Sequence, residues 1–473
     1  MAASHKQNNN KKKFKVPHTY VILFSVILIM AILTYIIPAG EYDREYDEVS
    51  EKTVVIPTSF HNVQQNPIKF FDLFQSIPKG MQDASSIIFF IFIVGGAFQM
   101  ITATGAIEAG IGKLAKALEG KEKLLIPSFI IIFSLGGATF GLSEETIVFV
   151  PIGIALARAL GFDAITGTAM ITLGAACGFT SGFMNPFTVG VAQKIAELPL
   201  FSGLRVRIAF LIIFLAITIV YVIRYAEKVK KDPSISFVRE LEIEEKDKVI
   251  DLSNIPQLET QHHLVLATIV VGFGFIIWGV FKNGWYITEI SSAFLAMGII
   301  GGFLGKLSPS RLAQEFIVGA KSIVFGALVV GIARGILVVM QDGMILDSIV
   351  NGLATAIQSL PNSISAVGMY ITQVIINFFI PSGSGQAAAT MPIMKPLADI
   401  VGITRQTAVV AYQFGDGFTN SIIPTSASLM GVLSVAKIPY EKWFKFLWPL
   451  MLIWLATGAI LIIIVNIIGF GPF

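Results

Sequence analysis

From Thr19 to Ile468 the chain alternates long apolar runs with short polar connections. A helix needs about 20 mostly apolar residues to cross a bilayer, because each residue advances it only about 1.5 Å through a hydrocarbon core about 30 Å thick. The pattern predicts full crossings at about 18–39, 84–103, 164–197, 203–226, 263–282, 287–306, 316–340, 404–436 and 442–470. Two apolar stretches, 124–160 and 364–401, are too long for one crossing. Each carries a polar, small-residue tip: Gly141-Leu142-Ser143-Glu144-Glu145-Thr146 in the first, Pro381-Ser382-Gly383-Ser384-Gly385-Gln386 in the second. Irregular backbone at membrane depth survives only where protein or a wet cavity satisfies its N–H and C=O groups. Both stretches therefore read as re-entrant hairpins whose tips meet a cavity.

The pattern also repeats. Pro151 and Pro392, Gly161 and Gly402, and Gly174 and Gly415 are each 241 positions apart, and Gly178-Phe179-Thr180 recurs as Gly417-Phe418-Thr419. This indicates a duplication, with repeat one at 18–226 and repeat two at 263–473, and with the polar loop 40–80 standing in repeat one where repeat two has the crossing 287–306. An odd number of crossings separates the two hairpins, so the second unit is expected to be inverted relative to the first. The expected architecture is an all-α membrane protein: an inverted-repeat transporter with about nine transmembrane helices and two re-entrant hairpins.

Composition agrees, since 54% of the 473 residues are hydrophobic and only 14% charged, with a mean hydropathy of +0.75. The single cysteine, Cys177, leaves no intrachain disulfide framework, and His5, His18, His61, His262 and His263 lie in tails, loops or helix ends, which argues against His-based catalysis or a metal site in the bilayer core. The placement of charge sets the orientation. With residues 1–17 as a basic cytoplasmic tail and an uncleaved first span, Lys113, Lys121, Arg224, Lys231, Lys306, Arg311, Lys437 and Lys445 all fall on the cytoplasmic side. The acidic segment 41–51 and the stretch 341–363, free of Lys and Arg, fall outside, while Arg205, Arg207, Lys395 and Arg405 are exceptions. The mixed-charge segment 227–262 reads as a solvated cytoplasmic linker. The expected location is the bacterial inner membrane, in contact with lipid and with no nucleic-acid partner.

After each hairpin comes a helix interrupted by polar and helix-breaking residues, Thr180–Thr188 around Pro186 and Thr419–Ser428 around Pro424. Proline removes a donor and clashes with the preceding turn, so both helices should break there. Broken helices expose N–H groups to anions and carbonyls to cations, and Ser, Thr and Asn complete oxygen-rich shells suited to Na⁺. Charges at membrane depth usually mark function. Glu144 and Glu145 at the first tip, Asp416 before the second break and Arg334 inside 316–340 are such charges, and three acids against one base favour a cationic or zwitterionic cargo. Gln386 stands at the duplicated position of Glu145, 241 residues on. Arg158, Asp163, Lys395 and Asp399, near hairpin ends, read as interfacial.

These motifs, together with Gly182-Phe183-Met184-Asn185-Pro186-Phe187-Thr188 and Asp416-Gly417-Phe418-Thr419-Asn420-Ser421-Ile422-Ile423-Pro424-Thr425, resemble the YfcC family from about Val16 to Phe470. That family is related to the DcuC anaerobic C4-dicarboxylate carriers, and it looks like a member of the ion-transporter superfamily with AbgT and the sodium–dicarboxylate symporters. The resemblance implies a dimerising scaffold and a hairpin-bearing transport domain that moves as an elevator, hence a homodimer. It implies that Ser143, Glu144, Glu145 and Thr146, with Asn185 and Thr188, form one half of the site. Ser382, Ser384 and Gln386, with Asp416, Asn420, Thr425 and Ser426, would form the other. Of these, Ser143, Asn185, Thr188, Ser382, Asn420 and Ser426 are the candidate ion ligands, with Na⁺ or H⁺ as coupling ion and no other cofactor. Ser143-Glu144-Glu145-Thr146 and Ser384-Gly385-Gln386 depart from the Ser-Asn-Thr triplets of the dicarboxylate relatives. Some YfcC-like proteins are linked to arginine–ornithine exchange, and the acidic tip fits that cargo. A C4-dicarboxylate carrier is the alternative. A channel fits less well, and so does an intramembrane protease, since Gly415-Asp416-Gly417 has no second mid-span aspartate.

Overall fold

The computed structural model describes residues 19–47, 52–107, 109–110, 113, 122–244, 258–283, 285, 287–358 and 360–471. The predicted basic tail, Glu51, Lys121, most of 105–118 and part of the linker, 245–257, lie outside them.

The described chain is almost entirely helical. The first half holds α1 (Thr19–Leu33), α2 (Phe70–Asp83), α3 (Ser85–Thr102), α4 (Glu122–Phe140), α5 (Thr146–Ala159), α6 (Ala164–Ser181) and α7 (Leu204–Lys231). Then come α8 (Thr260–Asn283), α9 (Ile287–Leu304), α10 (Pro309–Ser322), α11 (Val324–Asp342), α12 (Leu346–Gln358), α13 (Asn362–Phe379), α14 (Gly383–Ile400), α15 (Arg405–Thr419), α16 (Ala427–Ala436) and α17 (Tyr440–Ile467). Among the described residues five helices, α3, α6, α7, α9 and α17, are long and apolar enough to cross a bilayer, and α11 with α12 could add a sixth span, bent by 79°. Of the other expected crossings, 263–282 is the unbroken 24-residue α8, and the rest are shorter or divided. The first holds the 15-residue α1, 316–340 is broken at Ile323 into α10 and α11, and 404–436 is split into α15 and α16. The stretches 124–160 and 364–401 are helix pairs, α4–α5 and α13–α14, separated by the predicted polar tips.

Packing follows from small residues. Along α4 and α6 a side chain at Gly178 would be driven into the Ser134 carbonyl, so glycine there lets the two backbones approach closely. The second pair, α13 and α15, is also closely packed, with Gly415 against Gln373. The halves also cross over: α16 packs on α5, and the short helix Val191–Ile195 packs on α14. Away from these pairs α2 lies on α11, α1 on α11, and α9 and α10 on α3. Most of α6 is enclosed, whereas most of α7 and α17 is exposed or only partly buried, as lipid-facing helices should be.

Two departures from the sequence reading bear on the outer surfaces. The loop 40–80 is not merely polar: β1 (Gly40–Glu41) pairs with β4 (His61–Asn62), and β2 (Arg44–Asp47) with β3 (Lys52–Val55). This small cap sits on α12, where Arg44 meets Asp347 at 2.8 Å and the Tyr42 N–H donates to the same carboxylate at 3.0 Å. Nor is the start of the linker a free solvated strap. Ser236 donates to Asp163 at 2.7 Å, and Glu242 accepts from Arg158 at 2.8 Å and from the Ala164 N–H at 2.9 Å. Arg158 and Asp163, expected to reach toward the interface, are instead enclosed by these partners.

Candidate functional site

Both helix breaks form where proline and polar residues predicted them. α6 ends at Gly182, whose φ of +48° suits glycine, and the Asn185 Oδ1 accepts the N–H groups of Phe187 (2.9 Å) and Thr188 (3.3 Å). That cap starts a π-helical turn, Pro186–Gly190, followed by Val191–Ile195. In the second break Asn377 of α13 donates to the Asp416 carbonyl (3.1 Å), Thr419 Oγ1 (2.7 Å) and Asn420 Oδ1 (3.1 Å). Trp443 Nε1 and the Tyr440 hydroxyl bind the carbonyls of Ser421 (2.9 Å) and Ile422 (2.7 Å), so the unwound backbone is satisfied by protein.

The tips are fixed the same way. Glu145 Oε2 accepts the Ser143 N–H at 3.0 Å, and the Tyr412 hydroxyl donates to the Gly383 carbonyl at 2.6 Å. Between tips and breaks lies a cavity of about 390 Å³, a size that suits a small metabolite. Ser143, Glu144, Glu145, Thr188, Ser382, Ser384, Asn420 and Thr425 line it, so eight of the predicted residues meet in one place. The opposite wall comes from α11 and the α2–α3 bend, with Arg334, Leu337, Asp83 and Ala84.

Five predicted residues do not line this cavity. Thr146 borders a smaller void of about 40 Å³, together with Ser143, Thr172, Asn420 and Ser428. Asn185 and Ser426 are buried as caps. Asp416 is fully buried behind Gly383, with Oδ1 accepting from Asn420 at 3.2 Å and Oδ2 unpartnered. Gln386 is buried too, and its amide donates to Gln373, at 2.9 Å to the carbonyl and 2.7 Å to Oε1, which ties α13 to α14 rather than facing cargo.

Over residues 16–467 the chain matches the family of C4-dicarboxylate anaerobic carriers, DcuC. It belongs to that family. The carrier is also 36% identical to the Escherichia coli protein named "Putative basic amino acid antiporter YfcC", across 97% of this chain and 98% of that one. It is 30% identical to an uncharacterized protein of Haemophilus influenzae over the same shares of each. Among solved structures, Neisseria gonorrhoeae MtrF, presented as illuminating a class of antimetabolite efflux pumps, shares 15% identity over 97% of each chain with a TM-score of 0.44. The resemblance to the YfcC family read in the motifs thus holds, and the protein is a membrane transporter rather than an enzyme.

Within the carrier's cavity the charges are unevenly matched. Arg334 Nε stands 3.9 Å from Asp83 Oδ2 and has no hydrogen bond. Among the described residues no Lys, Arg or His pairs with Glu144 or Glu145. The sequence reading missed Asp83, because a charge one residue outside an expected crossing looks interfacial, and it missed Phe179, Phe187 and Phe379, which aromatic frequency alone could not single out. No group of three or more His, Cys, Asp or Glu is placed to hold a metal ion among the described residues.

Proposed function

We propose that the carrier is an antiporter of cationic amino acids, of the arginine–ornithine exchange type, working by elevator-type alternating access. The observation that carries this reading is the pair Glu144 and Glu145, on the cavity wall without a basic partner among the described residues, facing Arg334 across the same space. A guanidinium or ammonium group would replace lost water with charge-assisted hydrogen bonds to the acids. The cargo's α-carboxylate would take the bidentate fork of Arg334, released from its loose pairing with Asp83. The name of the Escherichia coli relative supports the same class. A C4-dicarboxylate carrier is the second reading, favoured by the family's description and by Arg334.

The inverted repeat is supported by the recurrence of α2–α3, α4–α5, α6 and α7 as α10–α11, α13–α14, α15 and α17, the last pair both 28 residues long. On this reading α1 is the counterpart of α9, since α1 packs on α11 and α9 on α3, which correspond in the two halves, and α8 is the helix left over. That revises the assignment of loop 40–80 to the place of 287–306. The moving body would be α4–α6 and α13–α16, which pack mainly on one another. The scaffold would be α1–α3 and α9–α11, through which two copies dimerise, the hairpins being re-entrant. Coupling to Na⁺ or H⁺ would fall to Asp416 Oδ2 and Thr188 Oγ1, both buried without a hydrogen-bond partner among the described residues, on side chains that both pack against Gly383. The N-terminus would face the cytoplasm of a bacterial inner membrane.

Counterflow tests the proposal. Proteoliposomes preloaded with ornithine should accumulate labelled arginine, and cold arginine or lysine should compete while succinate does not. Exchange of succinate or malate, with no arginine counterflow, would overturn it.

A further inference from the structure

Arg207, in the first turn of α7, is fully buried, and it lies away from the cargo cavity. Its Nη2 is 3.4 Å from Gln406 Oε1, while Nε and Nη1 have no partner. A guanidinium does not lose its proton inside a protein, so the charge stays. An enclosed charge without an opposite charge is strongly unfavourable. Among the described residues the acids of the adjoining segments are committed elsewhere: Glu197 to Lys395 (2.9 Å) and Arg405 (2.7 Å), and Asp399 to Arg405 (2.9 Å). Among the described residues, the side chains hydrogen-bonded around Arg207 (Gln193, Ser202 and Gln406) are neutral. Gln193 Nε2 donates to the Ser202 carbonyl (2.9 Å) and hydroxyl (3.2 Å), and Gln193 Oε1 accepts the Phe201 N–H at 2.6 Å. The sequence around them adds Lys194 and Arg205, so basic groups outnumber acids locally.

We propose that Arg207 is the centre of a site for a small inorganic anion, chloride, held by the unpartnered guanidinium donors and bordered by Gln193, Ser202 and Gln406. The guanidinium is completely enclosed, which favours a small inorganic ion over an organic acid or a lipid headgroup. The ion neutralises the charge and fastens three pieces of chain together: the helix Val191–Ile195 that follows the first break, the start of α7, and the start of α15. Gln406 lies ten residues before Asp416 on α15, about 15 Å along the helix. The site is therefore structural, and it stands independently of what the cavity carries.

The test uses the purified full-length carrier in detergent at constant pH and ionic strength, with chloride exchanged for gluconate. The melting temperature should rise saturably with chloride, by several degrees, and Arg207→Met should abolish that dependence. A melting temperature indifferent to chloride, or a chloride effect that survives Arg207→Met, overturns the proposal. Should Arg207→Met fail to fold, anomalous scattering from crystals of the native chain grown in bromide decides: a peak at the Arg207 guanidinium upholds the site and its absence refutes it.

Discussion

Replacing Glu145 with glutamine removes one negative charge from the cavity while leaving the hairpin tip intact, because the glutamine carbonyl can still accept the Ser143 N–H now bound at 3.0 Å. The effect on cargo can be worked from the geometry. Glu145 lines the cavity and has no ionic partner among the described residues, so its second oxygen is available to a cationic head group. A hydrogen bond to a charged group contributes about 1.5–3 kcal/mol, which at about 1.4 kcal/mol per decade is roughly a 10- to 150-fold change in affinity. Glu145→Gln should therefore raise the apparent KM for arginine counterflow by at least about tenfold. Arg334→Gln should also weaken it, through the carboxylate end. For a dicarboxylate the sign differs: removing an acid lowers repulsion, and only loss of Arg334 is fatal. The assay is initial-rate exchange in proteoliposomes with equal reconstituted protein, scored for arginine and succinate in parallel. Saturable succinate exchange that survives Glu145→Gln and disappears with Arg334→Gln, with no arginine transport by the parent, would refute the cationic reading.

Other consequences are open to measurement. Gly178→Val should lower the melting temperature sharply, since the new side chain would collide with the Ser134 carbonyl and force α4 and α6 apart; overpacking of this kind costs about 1–3 kcal/mol or more. Asn377→Leu should destabilise by about 1–3 kcal/mol, because it strips the donor shared by the Asp416 carbonyl, Thr419 and Asn420, and a wild-type denaturation midpoint would contradict the role given to that amide. Hydrogen bonds from Lys395 and Arg405 hold the Glu197 carboxyl below its ordinary value of 4.5. Its small contribution is full above that pH and is lost as pH falls through the depressed value, so Glu197→Gln should flatten the acid limb of the stability profile. Single-cysteine labelling in a Cys177→Ala background should place Arg224 and Asn351 on opposite faces of the membrane; labelling of both from one side contradicts the inverted arrangement.

Much of the cavity could be read from residue order because its parts are local. Glycine, proline and hydroxyl residues interrupting apolar runs at 141–146, 180–188, 381–386 and 419–428 have few other uses at membrane depth, and all four interruptions are non-helical or helix-terminal in the structure. Gln386 shows where the reasoning failed. The offset of 241 sets it opposite Glu145, but the second tip is only three residues long, so α14 begins at Gly383 and Gln386 falls inside the first turn, turned toward Gln373. Sequence spacing aligns positions, whereas side-chain direction depends on where the helix starts. The break at Ile323 was equally hidden, since neither glycine nor proline marks it. Asp83 and the strand cap depend on contacts hundreds of positions away, with Arg334 and Asp347, and no local pattern announces those.

The crossing of α16 onto α5, and of Val191–Ile195 onto α14, sets a limit on how this chain can vary. Each half supplies the helix that completes the other half's hairpin, so neither hairpin keeps its packing if its partner half is exchanged alone. A chimera made at the linker, joining one half to the opposite half of a relative, would have to match two seams at once. A substitution in 146–159 must be answered in 427–436, and one in 383–400 must be answered in 191–195. Relatives that differ at these seams should therefore differ in complementary pairs, and the two halves, however far their loops drift, are bound to change together.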